Sequence, residues 1–266
     1  MWDIVSICTY FVGSSVFLFL PMLPNMALCR DKLTVGNTRF KKFRKRLYTF
    51  MAIGWKGTKS QWHRLEKSMT IMTIVILLVA VAVHTVVSYI FAMTIRTAWN
   101  STVFGPYFVA GALYSGSAGV ILGMAAFRKL YHLEKYITPR HFDLMGRLVL
   151  ALTLIYAYLN LNEYWIPAYK MATAEGHLLK DLFSGSYSTV FWTLQFGTVL
   201  LPIIILAIPK GRRPLMLVIT CIIIVAGAWI KRYIIVVPTL LHPFMPIQEV
   251  PGDWSSYFPN YVEFSI

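Results

Sequence analysis

The sequence is short of charge, of acids and of cysteine. Only 14% of its 266 residues are Asp, Glu, Lys or Arg, against about a quarter in soluble domains. So few charges cannot cover a water-facing surface, which excludes a soluble Rossmann or TIM-type enzyme, and so apolar a chain is not a disordered one. The three cysteines, Cys8, Cys29 and Cys221, show no C-x-x-C spacing. That excludes a disulfide-stapled secreted domain, a structural zinc site and an iron–sulfur cluster, which needs about four protein thiolates. Of six histidines only His84 lies well inside an apolar run, so a bis-histidine haem lacks its ligand pair. There is no Gly-rich phosphate loop, no H-E-x-x-H and no nucleophile elbow. Gly54-Trp55-Lys56-Gly57 is too short and isolated to cradle a phosphate. The chain is therefore expected to ligate no metal or redox cofactor and to hold no catalytic residue of its own.

What the chain does have is apolar surface: 57% hydrophobic and 15% aromatic residues, with a mean hydropathy of +0.61. A bilayer-crossing helix takes roughly 20 apolar residues. Six stretches qualify, near Ile4–Leu28, Met69–Thr94, Gly105–Phe127, Leu144–Leu161, Thr189–Ile208 and Leu215–Val237. The runs are continuous rather than alternating, which predicts helices and not barrel strands. Asn160 and Asn162 close the fourth span, and Pro202 interrupts the fifth. Asp3, not a basic segment, precedes the first span, so it is read as a retained helix rather than a signal peptide. The fold class expected is an all-α integral membrane protein.

The net charge of +14 is a topology signal. Nineteen of the 25 Lys and Arg residues fall in three loops, 29–68, 128–143 and 209–214, while seven of the eleven acids fall on the opposite side. By the positive-inside rule the basic loops face the cytoplasm and both termini lie outside. Basic loops beside spans orient the chain and meet anionic lipid, so no nucleic-acid partner is expected.

Polar groups within a span are costly and point to function. His84 and Ser88 share a helix face, with Thr85 and Tyr89 close by. Two readings of His84 stay open, a hydrogen bond to a quinone carbonyl with proton transfer and an interhelical bond that holds the bundle. Small residues four apart (Ala112/Gly116, Ser115/Gly119, Gly119/Gly123) are expected to bring helices close, and Tyr107 and Tyr114 to line a pocket. Glu163 is expected to pair with Arg232, and Gln195 to be a packing contact. The absence of an inverted repeat and of buried charge pairs argues against a solute transporter.

A set of short motifs runs in order along the chain. They are Trp2-Asp3-Ile4, Leu23-Pro24-Asn25-Met26-Ala27, Arg30-Asp31, Gly54-Trp55-Lys56-Gly57 and Val83-His84-Thr85-Val86-Val87-Ser88. Phe104-Gly105-Pro106-Tyr107-Phe108, Ile137-Thr138-Pro139-Arg140-His141 and Trp229 through Arg232-Tyr233 to Pro238 complete it. In this series the chain resembles the NrfD/polysulfide-reductase-type membrane subunits of quinone oxidoreductases, most of all the larger members in alternative complex III. The resemblance implies two four-helix bundles with quinone, menaquinone or ubiquinone, bound near the outer side. Iron–sulfur or cytochrome c subunits would dock outside and carry the haem and clusters. It places this chain at the fourth to ninth spans, without the first three and the last. Residues 1–94 then form half of the first bundle, 105–237 the second bundle, and 238–266 an outer tail, with another subunit supplying the missing helices. Residues implied at the quinone are His84, Ser88 and Tyr89, with Arg30, Asp31 and His141 in a cytoplasmic polar network. Asn25, Ile90 and Lys231 stand where the pattern has acids; Asn does not release a proton near neutral pH, so these positions are not expected to carry the family's proton route. The function implied is a membrane anchor of a respiratory quinol/quinone oxidoreductase in a prokaryotic cytoplasmic membrane. The rival reading is a purely structural subunit without its own quinone site.

Overall fold

The computed structural model describes residues 2–32, 41–94, 96–170, 172–242 and 260. Arg39 and the tail residues Glu249, Asp253, Tyr261, Val262 and Glu263 lie outside the described residues. Six helices are long and apolar enough to cross a membrane, and no strand occurs among the described residues. The fold class read from the sequence holds. The chain divides into two compact units, 1–87 and 88–266.

In the first unit α1 (Trp2–Phe19) passes through a tight turn at Leu20–Met22 into α2 (Leu23–Lys32). The turn falls at Pro21, which cannot donate to the preceding turn of a helix. The amphipathic α3 (Lys41–Met51) and the first part of α4 (Lys59–Ala92) follow. Ala27, Ala52, Trp55 and Leu65 form a small core here. The Gly54–Gly57 stretch is a connector: Ile53, Gly54 and Gly57 all have positive φ, and Thr58 and Gln61 then make a capping box. The Gln61 N–H donates to Thr58 Oγ1 at 3.3 Å, and the Thr58 N–H to Gln61 Oε1 at 3.4 Å.

The second unit holds α5 (Phe104–Leu130), α6 (Pro139–Lys170), the short α7 (Thr173–Phe183), and a broken fifth span. That span runs α8 (Ser188–Leu194), a π-helical turn at Gln195–Leu200 and α9 (Leu201–Ala207); α10 (Pro214–Leu241) closes the unit. Each long helix buries one stripe at a period near 3.6. On α6 it reads Phe142, Gly146, Val149, Thr153, Tyr156, Asn160, Glu163, Pro167. On α10 it reads Leu217, Thr220, Cys221, Ile224, Gly227, Lys231, Ile234, Pro238. Both stripes start apolar and turn polar along their length.

The small residues that bring helices close are not the expected ones. A Cβ on Gly116, Gly119 or Gly123 would meet nothing within 4 Å, because the inward stripe of α5 runs through Tyr107, Ala110, Tyr114, Ala118 and Ile121. Close approaches occur instead at Gly105 against Tyr89, Gly111 against Tyr156, Gly146 against Arg212 and Gly227 against Thr198, where a Cβ would overlap the threonine side chain.

Candidate functional site

The polar halves of the α6 and α10 stripes meet α5 and the broken span. Lys231 lies about 17 residues into α10, roughly 25 Å along it, and is 7% exposed. Its ammonium donates to the Tyr164 hydroxyl at 2.6 Å and to Asn160 Oδ1 at 3.2 Å. The rings of Tyr164, Phe191 and Tyr107 stand 4.8, 5.8 and 6.0 Å from it, so π faces supply part of the solvation that water would give. Asn160 organises the rest. Its Oδ1 also accepts from the Tyr107 hydroxyl at 3.0 Å, and its amide donates to Gln195 Oε1 at 2.7 Å. Tyr107 and Tyr156 share a 3.1 Å hydroxyl contact, and Tyr156 stacks between Tyr107 and Tyr114 with centroids 5.2 Å apart on each side.

A crevice of about 70 Å³ opens beside this chain, lined by Tyr107, Gly111, Tyr156, Thr198, Gly227 and Lys231 among others. Backbone chemistry shapes its wall. Pro202 has no N–H, so the Thr198 carbonyl four residues back lacks its α-helical donor. The Tyr114 hydroxyl donates to that carbonyl at 2.5 Å, and the π-helical turn lies over the same residues, a feature common near functional sites.

At the opposite end of the bundle, Arg212 Nε donates to Asp143 Oδ1 at 2.7 Å, and Nη1 to the Leu206 and Ala207 carbonyls at 2.7 and 3.3 Å. Arg147 holds the other oxygen of Asp143. This end is a clamp on the last turn of α9.

The residues picked from sequence divide as follows. His84 is half-buried; its ring stands edge-on to Tyr10 at 6.4 Å, and Nδ1 lies 2.7 Å from the Ala80 carbonyl, which fixes that nitrogen as the protonated one. Ser88 is fully buried, whereas Tyr89 is 45% exposed and packs against Gly105. Arg30 pairs with its neighbour Asp31 at 2.7 Å. His141 accepts from the Thr138 backbone N–H at 3.1 Å and contacts its hydroxyl at 2.9 Å, so it caps the start of α6. Each of these three has a local partner. Glu163 is buried but not with Arg232: Arg232 is exposed, and the buried cation within electrostatic reach of Glu163 is its neighbour Lys231. Gln195, read as packing, is a network member.

Sequence reasoning missed Lys231, Asn160 and Tyr164 as a unit. The available signal was helix phase: Lys231 lies four residues after Gly227 and seven after Ile224, on the stripe that also carries Leu217 and Thr220.

Six membrane-length helices, four of them in the unit that holds the buried polar network, define a multi-pass α-helical membrane protein. No group of three or more His, Cys, Asp or Glu among the described residues is placed to hold a metal. The chain belongs to the polysulphide reductase, NrfD family, whose model matches residues 3–243. It is 26% identical over 169 residues to the menaquinone reductase integral membrane subunit of Nitratidesulfovibrio vulgaris, covering 62% of this chain and 39% of that one. It is also 26% identical over 265 residues to a selenate reductase subunit from Mesobacillus selenatarsenatis, covering 94% and 60% respectively. The chain thus spans less than two thirds of the length of either relative.

Proposed function

We propose that the chain is the membrane-embedded anchor of a multi-subunit oxidoreductase that exchanges electrons with a quinone pool, with the quinone headgroup at His84. The setting of His84 carries this reading. With Nδ1 donating to the Ala80 carbonyl, Nε2 is the acceptor nitrogen of that tautomer, the chemistry a quinol O–H requires. Tyr10 against the ring edge holds it in place, and Ser88, one turn on, adds a hydroxyl on the same helix face. Both relatives are named as subunits of reductases, one of them for menaquinone, and this supports a quinone substrate. Electrons taken from quinol would leave through iron–sulfur or haem groups of partner subunits, in a reductase complex or one of the alternative complex III kind. Orientation in the cytoplasmic membrane, with termini outside, rests on the basic loops.

His84→Phe in the intact complex is expected to lower quinol turnover at least about tenfold, the value of one good hydrogen bond to a reacting group, with assembly of the complex unchanged. Unchanged turnover sinks the reading. It would leave a structural anchor, which the first span favours: its apolar window has no buried residue and is expected to be covered by lipid or by another subunit's helices.

A further inference from the structure

Two buried acids stand beside the Lys231 network without being bonded into it. Glu163 on α6 is 7% exposed and Glu175 on α7 is 6% exposed. The Oε2 atom of each is buried with no hydrogen-bond partner. Both side chains line one cavity of about 30 Å³, together with Trp99, Phe104, Tyr164 and Pro167. A water needs roughly 10–15 Å³ of such space, so the cavity takes one small polar guest, or two at most. A buried carboxyl oxygen left bare costs more than an ordinary hydrogen bond returns, and here two such atoms border the same space.

Charge and donor chemistry identify the guest. Counted as two carboxylates against one ammonium, Glu163, Glu175 and Lys231 leave one negative charge over, and Lys231 is the cation within electrostatic reach of Glu163. Pro167 has no N–H, so the Glu163 carbonyl also lacks its α-helical donor. Oxygen-only donors select a hard cation, and a residual charge of one selects a monovalent one. We propose that Glu163 and Glu175 bind one monovalent cation in this cavity, either Na⁺ or a proton held on one of the two carboxyls. The other ionisable groups around it are Tyr107 from α5, Tyr164 from α6 and Lys231 from α10; Asp181 on α7 is engaged with His242 at 2.9 Å. The site is independent of a quinone at His84 and stands if that reading fails.

Trp99 on the cavity wall is a built-in reporter. The full chain in its native complex, in lipid nanodiscs, is titrated with NaCl at an ionic strength held constant with choline chloride, and tryptophan emission is followed, with Trp99→Phe as the assignment control. A saturable Na⁺ response lost in Trp99→Phe, in Glu163→Gln and in Glu175→Gln supports a sodium site. Lys231→Met, which doubles the residual charge, then raises the apparent affinity about tenfold or more. A flat Na⁺ titration together with a carboxylic-acid C=O infrared band that vanishes in Glu175→Gln supports the proton. A wild-type protein showing neither response overturns the proposal without recourse to any variant. So does a response that survives both glutamine substitutions.

Discussion

The hydroxyl of Tyr114 donates at 2.5 Å to the carbonyl of Thr198, the carbonyl that Pro202 cannot serve. One tyrosine therefore repairs, across a helix interface, a gap that a proline opens in the fifth span. If so, the cost of losing the hydroxyl depends on the proline. Tyr114→Phe is expected to lower the unfolding free energy in mixed micelles by about 1–2 kcal/mol. Pro202→Ala in the same background restores an N–H four residues on and recovers most of that loss. Strict additivity of the two substitutions in a double-mutant cycle would show that the two residues are not coupled.

Asn160 accepts from Tyr107 and Lys231 and donates to Gln195. Leu at this position leaves a buried ammonium and a buried hydroxyl short of an acceptor, an expected loss of about 2–4 kcal/mol. Asp keeps both acceptor contacts, and the Gln195 amide can turn to donate, so Asn160→Asp is expected to cost less than half as much. Unfolding of the two variants side by side is the check; equal losses would mean that Asn160 serves by its volume alone.

Arg212 joins Asp143 to the last carbonyls of α9 through a single guanidinium. Arg212→Ala is expected to cost about 2–4 kcal/mol. Arg212→Lys should regain little of it, because an ammonium cannot span the same three acceptors with a planar fork. A lysine variant as stable as the parent would show that the clamp needs only charge.

Much of the fold was legible in the sequence because hydropathy is local. Hydropathy places all six spans but misses the break at Leu20–Met22 inside the first and the ends of others. The second span was read from Met69, but α4 begins at Lys59, because its first turns are polar and outside the apolar window while still helical behind the Thr58–Gln61 capping box. The fourth was read to Leu161, but α6 continues to Lys170; in these turns Glu163 and Pro167 are buried against protein, which hydropathy cannot see. The polar network was less legible for the same reason. Whether Lys231 or Arg232 turns inward is a matter of about 100° of helix rotation, set by packing with α5 and α6 rather than by either residue. Tyr107 and Tyr114 were recognised as pocket residues because they lie seven apart on one face. Gln195 was not recognised, because nothing nearby in sequence announces Asn160.

Lys231 and its acceptor Asn160 lie 71 positions apart in the chain, and this separation has a consequence for biogenesis. Synthesis delivers α6 to the bilayer well before α10 exists. During that interval α6, whose apolar window has a mean hydropathy of 1.6 against 2.2 for α10, must show lipid an amide and a carboxyl with no cationic partner. When α10 follows, it brings the ammonium that donates to Asn160 Oδ1. Until then Asn160 makes its polar contact through Tyr107 of the earlier α5, and the bond to Lys231 closes only when α6 and α10 lie side by side.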